Sequence, residues 1–391
     1  MQKIETDIIV VGAGIAGLFT TALLQAQGYQ VILLEQNTLG GVQTLHSQGI
    51  LHSGLKYALD GNIGADAKIL SSAPKIWQQC LQGTGILDLT AVKLLTAGQV
   101  LFSSVPLVGA LNAMLASKAM RALAVPLNIS ECPQMLQNHA KISGRVYQLP
   151  EPVVDVASLL EAFAHIIGNN IIKIDKNSLE IIESLGQITQ LKVKIKGMAV
   201  NLTANKYIFT VGQGYTNLKL SIQEHNKVQL RPLQMGLVQH PQLQPLYAHN
   251  IGLAKAPRLT ITSHYTQKGE LVWYVGGKVA EDGASQTKSQ FIANLQKELG
   301  AAFNLDWTPA NLNAISIDRA EYFQVNGTKP ATFSIINQHN YIVAWPTKLV
   351  LAPSMAQQIV QMCQLLPKIS SSLALSNLPK PAIAKPCWSN L

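Results

Sequence analysis

The first part of the chain alternates short apolar runs with small or polar residues in the order strand, turn, helix and strand. Thr6–Val11 and Gln30–Leu34 are apolar and rich in branched side chains, which is typical of strands buried on both faces of a parallel sheet. Between them, Leu18–Gln27 has the composition of a helix and is followed by Gly28. Because strand–helix–strand crossovers are right-handed, the two strands are predicted to be parallel neighbours.

The remainder of the chain contains two kinds of strand pattern. Lys206–Val211 and Asn340–Ala344 are short and apolar, which predicts two more strands. Several strand-like runs at 178–200 alternate apolar and polar positions, as is typical of antiparallel strands, and strand-like segments dominate again at 228–279. Helical periodicity predicts further helices at Ser158–Ile167, Gln286–Leu299 and Ser354–Leu366.

These patterns predict an α/β protein of the two-domain α+β type, because 391 residues exceed what one small core needs. A domain with a parallel central sheet would be interleaved with a mostly antiparallel one. We expect the first domain to comprise residues 1–85, 145–215 and 338–374, and the second to comprise residues 86–144 and 216–337. Residues 375–391 contain three prolines and little periodicity, so they are predicted to form a surface tail.

The composition is that of a folded globular protein. Hydrophobic residues make up 48% of the chain and charged residues 13%, which excludes a disordered chain. The formal net charge of +9 fits an anionic ligand, nucleic acid or an anionic membrane surface, but no run of Lys and Arg resembles a nucleic-acid arm. The four cysteines show neither metal-ligand spacing nor a disulfide framework. We therefore expect reduced thiols in a cytoplasmic protein, and no signal peptide is predicted.

Leu94–Ser117 carries no charged residue and is long enough to span a bilayer. Polar residues such as Gln99, and Pro106, dilute its hydrophobicity, which favours a strand followed by a core helix. The alternative is an apolar helix in the membrane interface, with Lys118 and Arg121 beside lipid headgroups. In that case the protein would be peripheral on the inner face of the membrane.

A glycine motif lies between the first strand and the first helix. Gly12 permits a tight turn, Gly14 lets backbone N–H groups approach a pyrophosphate, and Gly17 allows close packing of helix on strand. The helix N-terminus then offers unpaired N–H groups to the phosphates. Glu35 ends the second strand, where a carboxylate accepts hydrogen bonds from a ribose. Together these features predict a dinucleotide site.

The residues after Glu35 indicate which dinucleotide binds. The chain continues through Gly40 and Gly41 into a polar stretch that contains Thr44 and Ser47. FAD needs a loop after the second strand to pass along its pyrophosphate and ribityl chain, whereas an NAD enzyme does not usually need one here. The sequence therefore favours FAD.

The segments VGAGIAGL, Glu35 and QTLHSQGILHSGLKY resemble the FAD-dependent oxidoreductases of the D-amino-acid oxidase superfamily, nearest to the 2-hydroxyglutarate oxidase and glycerol-3-phosphate dehydrogenase branches. The sequences FTVGQG, Arg231-Pro232 and WPTK resemble further family segments in the same order. The resemblance implies that the parallel-sheet domain is a Rossmann-like FAD-binding domain and that the other binds substrate. The cofactor-binding residues that we predict are Gly12, Gly14, Ile15, Ala16, Gly17, Glu35, Gln36, Gly41, Thr44, His46, Ser47, Gly49, Gly212, Lys348 and Leu349.

The same resemblance implies candidate catalytic residues. His52 is predicted to be a general base or, alternatively, a histidine that packs on the flavin edge. Lys56 would either attract a carboxylate or phosphate or be a solvated lysine at the pocket rim, and Tyr57 would line the pocket. Arg231 and Arg319 lie on strand-like segments and would either bind a substrate carboxylate or form structural ion pairs. No metal site is predicted.

Two further residues have alternative roles. The stretch from Thr44 to Gly49 resembles that of dimethylglycine and sarcosine dehydrogenases, which attach their flavin to a histidine. It implies covalent FAD on His46 as the alternative to non-covalent FAD beside a polar loop. Lys348 would stabilise negative charge at flavin N1 and O2, or be an exposed loop lysine.

We therefore expect an FAD-dependent enzyme that oxidises a small anionic substrate at a C–OH carbon by hydride transfer to flavin N5. The substrate would be a 2-hydroxy acid or a polyol phosphate. One alternative is an amine or amino-acid oxidase or dehydrogenase of the same fold. Another is an FAD subunit that passes electrons to a quinone or protein partner at the membrane. Nucleic acid is not an expected partner.

Overall fold

The computed structural model describes residues 2–52, 65–106, 124–220, 228–252, 256–325, 327–368 and 375–391. The helices are α1 (Ile15–Ala26), α2 (Ala65–Leu81), α3 (Gln134–His139), α4 (Val156–Ile167), α5 (Lys278–Asp282), α6 (Lys288–Ala302) and α7 (Ala352–Cys363). The strands are β1 (Gln2–Val11), β2 (Val31–Glu35), β3 (Leu94–Thr96), β4 (Gln99–Ser103), β5 (Val125–Leu127), β6 (Val146–Leu149), β7 (Val153–Val154), β8 (Ile171–Lys173), β9 (Glu180–Ser184), β10 (Gln187–Ile195), β11 (Met198–Phe209), β12 (Val228–Gln239), β13 (Ala248–Ile251), β14 (Leu259–Tyr265), β15 (Leu271–Gly276), β16 (Asn311–Tyr322), β17 (Ser334–Gln338) and β18 (Tyr341–Trp345).

Within the described residues, eight strands form the first sheet, in the order β17-β18-β11-β1-β2-β8, with β10 paired to β11 and β9 paired to β10. As predicted from the strand–helix–strand pattern, β1 and β2 are parallel neighbours, and β1 also pairs in parallel with β11. Ile8 and Val10 pack in one apolar cluster with α1, α4 and α7, whereas Ile9 and Val11 pack in a second cluster. Because successive side chains of a strand point to opposite faces, only a fully apolar run can fill both clusters.

The second sheet, again counted over the described chain, has eight strands in the order β16-β12-β15-β14-β13-β4-β6-β5. Its neighbours are antiparallel except for β13 and β4, which are parallel. Phe291 of α6 packs in a cluster with Trp273 of β15. Val272 and Tyr274 of the same strand pack in another cluster, together with Trp388. The predicted fold class, a parallel-sheet domain interleaved with a mostly antiparallel one, is confirmed.

The predicted domain boundaries remain a prediction, and two strands lie across them. Strand β6 belongs to the second sheet, although residues 145–215 were assigned to the first domain. Strand β17 pairs with β18 in the first sheet, although residues 216–337 were assigned to the second domain. A short strand is assigned by its pairing partner, and local sequence does not reveal that partner.

The prediction that residues 375–391 form a surface tail was wrong. Leu375 and Trp388 are only 4% and 5% exposed. Leu39 forms an isolated bridge with Ile383, and the ring of Trp388 stacks on His264 with 3.9 Å between the ring centroids. Prolines remove helix and strand periodicity from a sequence, but they do not prevent apolar side chains from packing.

The uncharged segment that starts at Leu94 begins with the strands β3 and β4, and Gln99–Ser103 is buried throughout. The strand predicted there is confirmed, whereas residues 107–123, which contain the predicted helix, lie outside the described residues. In the part of the chain that the structure describes, no helix is both long and apolar enough to cross a membrane.

Candidate functional site

The carboxyl ends of four parallel strands open onto one cavity of about 1890 Å³. Its wall includes Gly12 after β1, Glu35 at the end of β2, Gly212 after β11 and Lys348 after β18. Ligands of open α/β sheets bind at this edge. All predicted cofactor-binding residues line the cavity except Gly17.

Gly17 shapes the turn behind this wall. A Cβ atom on Gly17 would lie 2.0 Å from the carbonyl oxygen of Gly12, and Gly12 itself has a φ of +100°. The hydroxyl of Thr210 donates to the same carbonyl at 2.8 Å. The turn therefore has no room for a side chain at position 17. Helix α1 begins at Ile15 in the cavity wall, which places the positive end of its dipole there.

Glu35 holds the turn and the second strand together at the cavity edge. Its carboxylate accepts hydrogen bonds from the backbone N–H of Ala13 at 2.8 Å and of Asn37 at 2.7 Å. These two bonds fix the orientation of the carboxylate in the wall.

Residues 40–52, which we call the crossing loop, connect the two sheets. Near the first sheet, Thr44 Oγ1 accepts a hydrogen bond from the first N–H of α1 at 2.9 Å. At the second sheet, Gln48 Nε2 donates to the backbone oxygens of Thr260 at 2.9 Å and Tyr274 at 3.0 Å. The loop is therefore anchored at both walls of the cavity.

The middle of the crossing loop contains the predicted His46 and Ser47. The hydroxyl of Tyr274 donates to the carbonyl oxygen of His46 at 2.9 Å, and His46 Nδ1 contacts the carbonyl oxygen of Val42. Ser47 Oγ is buried and has no hydrogen-bond partner among the described residues, although Ser47 lines the cavity. Gly49 has a φ of +70°, which only glycine adopts without strain.

A carboxylate between two imidazoles lies farther along the same wall. Glu151 Oε2 is 3.2 Å from His52 Nδ1 and 3.3 Å from His249 Nε2. His249 Nδ1 is 3.1 Å from the hydroxyl of Thr260. The Glu151 and His249 side chains are 8% and 6% exposed, whereas His52 is 46% exposed. The cluster thus presents one accessible imidazole backed by a buried carboxylate.

The surroundings keep Glu151 ionised. Burial opposes the charge, but the electrostatic attraction of His52 and the hydrogen bonds of both imidazoles outweigh burial and hold the pKa of this carboxyl well below its usual range. The sequence predicted no metal site, yet ligand atoms of His52, Glu151 and His249 all lie within 4.8 Å of one another. The structure thus brings together three groups of the kind that bind metal ions.

Strand pairing assembles this cluster from distant parts of the chain. His249 pairs with Leu101, because β13 and β4 are parallel neighbours. Leu101 in turn pairs with Tyr147 of β6, and β6 ends two residues before Glu151. Sequence reasoning missed Glu151, His249 and Thr260, since a single histidine in a strand-like run carries no local signal of its partners.

The two predicted arginines have different positions. Arg319 lines the cavity and its NH2 atom lies 3.4 Å from Glu281 Oε1. Arg231 is not among the described residues that line the cavity. Its Nε lies 2.9 Å from Oε2 of the fully buried Glu321. Burial and the charge of Arg231 lower the pKa of Arg319. Arg231 thus forms the structural ion pair that was one of its two predicted roles.

Lysines complete the basic side of the cavity. Lys329 lines it and has a large exposed area, but the protein atoms around its ammonium displace water and, with Arg319, lower its pKa to about 8. Sequence reasoning did not single out this residue. Lys348 donates to the carbonyl oxygen of Ala331 at 3.0 Å and precedes the 3₁₀ turn that leads into α7. Residues 56 and 57, the predicted Lys56 and Tyr57, lie outside the described residues.

Comparison with known proteins identifies the family. The model of the FAD-dependent oxidoreductase family DAO matches residues 7–310. The chain is 36% identical over 397 aligned positions to the probable FAD-dependent oxidoreductase PA4991 of Pseudomonas aeruginosa, covering 99% of this chain and 98% of that protein. The crystal structure of PA4991 superposes with a TM-score of 0.84 over 99% of this chain and 98% of the other, at 31% identity in the structural alignment.

Two more distant structures show the same fold. Glycine oxidase from Geobacillus kaustophilus has a TM-score of 0.63 at 13% identity, covering 96% of this chain and 98% of the other. L-α-glycerophosphate oxidase from Mycoplasma pneumoniae, with FAD bound, has a TM-score of 0.65 at 13% identity, covering 99% and 98%. The glycine turn without room for a side chain, the helix terminus and the unpaired Ser47 hydroxyl at the cavity fit such a cofactor. The chain belongs to the DAO family of FAD-dependent oxidoreductases and is an enzyme whose cofactor is FAD.

Proposed function

We propose that this enzyme oxidises a small anionic substrate at a carbon that carries a hydroxyl group, such as a 2-hydroxy acid or a polyol phosphate. The observation that carries the proposal is the accessible His52 imidazole backed by the buried Glu151 carboxylate in the cavity wall. Within the family, the resemblance of HSGLKY to the 2-hydroxyglutarate oxidase and glycerol-3-phosphate dehydrogenase branches points the same way.

Oxidation of an alcohol carbon removes the O–H proton as well as a hydride equivalent. Bound FAD would supply the two-electron acceptor for that hydride. When His52 donates its Nδ1 proton to Glu151, its Nε2 is left unprotonated and can accept the substrate proton. The Glu151 carboxylate then stabilises the imidazolium, as an acidic partner does for a catalytic histidine. A neutral amine can be oxidised without such a base, so the cluster favours the alcohol.

The anionic part of the substrate is assigned to the basic side of the cavity. Arg319 offers a planar donor fork and Lys329 a point charge, and both line the wall. Glu281 neutralises part of this charge, since it pairs with Arg319. A carboxylate or phosphate would add the missing negative charge. Lys56 and Tyr57 stay predicted substrate contacts from the sequence.

We propose that FAD is held without a covalent bond. The glycine turn and the N-terminus of α1 would bind the pyrophosphate, Glu35 the ribose, and the hydroxyl of Ser47 a polar atom of the cofactor. Lys348 and Leu349 would lie at the pyrimidine side. Flavin that is released completely by acid precipitation supports this arrangement; flavin that stays with the washed pellet would instead indicate attachment to His46.

A second candidate is oxidation of an amine or amino acid by the same fold. It is favoured by the stretch from Thr44 to Gly49, which resembles that of amine dehydrogenases and whose His46 lines the cavity. In this case the proton would leave the substrate before binding, and His52 would be dispensable.

Anaerobic bleaching of the flavin separates the two candidates. The purified holoenzyme is mixed without oxygen with 2-hydroxy acids, glycerol phosphates, amino acids and N-methyl amines, and absorbance is followed near the flavin maximum. Bleaching by a hydroxy compound, slowed in His52→Asn, supports the proposal. Bleaching by amines alone, at the same rate in His52→Asn, refutes it. Reoxidation by air then tells whether oxygen is the acceptor.

A further inference from the structure

We propose that His52, Glu151 and His249 form a binding site for one divalent transition-metal ion, with Zn²⁺ as the best match. The ion would be bound by both imidazoles and the carboxylate at the second-sheet wall of the cavity. The cluster consists of two nitrogen ligands and one oxygen ligand with no thiolate, a donor set found in open zinc sites.

The spacing of the ligand atoms fits such an ion. Tetrahedral zinc with bonds of about 2.0–2.1 Å places neighbouring ligand atoms roughly 3.3 Å apart. Glu151 Oε2 lies 3.2 Å from His52 Nδ1 and 3.3 Å from His249 Nε2. All three ligand atoms lie within 4.8 Å of one another, so the two imidazole nitrogens need to move only slightly closer to each other to bind one ion. His52 can make it, because it is 46% exposed while the other two side chains are buried.

The hydroxyl of Thr260 supports both the metal-free and the metal-bound form. It lies 3.1 Å from His249 Nδ1 and can either donate or accept a hydrogen bond. Without metal, it donates to Nδ1, and the Nε2 proton of His249 points at Glu151. With metal, Nδ1–H donates to the hydroxyl and the Nε2 lone pair is free for the ion. Such hydrogen bonds to the distal nitrogen orient metal-binding histidines in proteins.

The two buried ligands are also held in place by the fold. Glu151 follows β6 and His249 lies within β13, and β4 pairs with both strands. Their carboxylate and imidazole are therefore positioned before an ion arrives, which lowers the entropy cost of binding. His52 is half-exposed and lines the cavity, so a fourth ligand, either water or a substrate oxygen, can approach the ion from there.

A bound ion would change the chemistry assigned to this wall. The lone pairs of His52 cannot serve an ion and accept a substrate proton at the same time. Zinc should therefore inhibit flavin bleaching by a hydroxy substrate. This consequence rests on the proposed function, whereas binding of the ion does not.

Equilibrium dialysis of the chelator-treated holoenzyme against ZnCl₂, with elemental analysis, tests the site. We expect one zinc ion per chain, and at least about tenfold weaker binding in Glu151→Gln and in His249→Ala. His165→Ala, which removes an exposed histidine on α4, should bind zinc like the unchanged protein. The flavin spectrum and the unfolding midpoint of each variant show that the fold is retained.

Two outcomes would overturn the proposal: no stoichiometric zinc in the unchanged protein, or equal affinity in Glu151→Gln. If His249→Ala does not fold, His52→Asn replaces it, because this exposed ligand can be changed without opening the core. Zinc binding together with no bleaching by any hydroxy compound would refute the proposed function and leave the metal site standing. Bleaching by a hydroxy compound together with no stoichiometric zinc would refute the metal site and leave the proposed function standing.

Discussion

His264 should make the folded protein sensitive to acid. Its ring is 6% exposed and stacks on Trp388, and its Nε2 lies 3.0 Å from the hydroxyl of Thr262. Burial lowers the pKa of this imidazole from 6.5 to about 3. The folded chain therefore keeps His264 neutral under conditions in which the unfolded chain protonates it.

The size of the effect follows from these two pKa values. The folded pKa lies below the unfolded one, so the stability is fully present above pH 6.5 and is lost as the pH falls towards 3. One pKa unit corresponds to about 1.4 kcal/mol. Between about pH 7.5 and about pH 5.0 the unfolded chain protonates this imidazole and the folded chain does not, and integrating the difference over this range gives a factor of roughly 1.5 pH units. The free energy of unfolding should therefore fall by about 2 kcal/mol through His264 alone.

His264→Phe isolates this contribution, because phenylalanine keeps a ring against Trp388 but cannot titrate. Urea unfolding of the holoenzyme, followed by tryptophan fluorescence at the two pH values, should show about 2 kcal/mol less acid destabilisation in the variant than in the unchanged protein. A constant offset from the lost contact with Thr262 cancels in this difference. The exposed His165→Gln variant should keep the original pH dependence. If His264→Phe loses as much stability as the unchanged protein, the buried neutral imidazole is not the cause.

Three further substitutions test the glycine turn, the crossing loop and the proposed base His52. Gly17→Ala places a Cβ atom 2.0 Å from a backbone oxygen, so the protein should purify with little flavin. Gly300→Ala, whose added Cβ would lie 3.8 Å from the ring of Trp307, should keep its flavin-to-protein absorbance ratio. Tyr274→Phe leaves the carbonyl of His46 without its hydroxyl donor, which costs about 1–3 kcal/mol, and the dissociation constant of FAD should rise roughly tenfold. His52→Asn should slow bleaching by a hydroxy substrate about 10²–10⁴-fold, and an unchanged rate would exclude it as the base.

The cofactor end of the site could be predicted because its signals are local. Gly12 and Glu35 lie within one strand–helix–strand unit, and the spacing of that unit fixes both the strand neighbours and the positions at their ends. The apolar periodicity therefore determines which residues reach the cavity wall. Sequence reasoning could place these residues without knowing anything about the rest of the fold.

The cluster of His52, Glu151 and His249 could not be predicted in this way. Glu151 and His249 are separated by 98 positions, and they meet only because β4 pairs with β13 on one side and with β6 on the other. Pairing between distant strands is decided by the packing of the whole sheet, and a single sequence does not report it. The buried position of Trp388 was missed for a similar reason, since its partners His264 and Tyr274 lie more than a hundred residues earlier.

The crossing loop connects the cofactor-binding end of the site, which could be predicted, with the cluster of His52, Glu151 and His249, which could not. Thr260 accepts a hydrogen bond from Gln48 through its backbone oxygen and contacts His249 through its hydroxyl. Thr260 of the second sheet therefore helps to hold the crossing loop in place and to orient the imidazole of His249. His46 lies between Thr44 and Gln48, and His52 lies at the end of the loop. A displacement of β14 would therefore act on the loop through Gln48 and on the histidine–glutamate cluster through His249. The predicted roles of His46 and His52 are separate, but Thr260 links the loop that carries both of them to the buried His249.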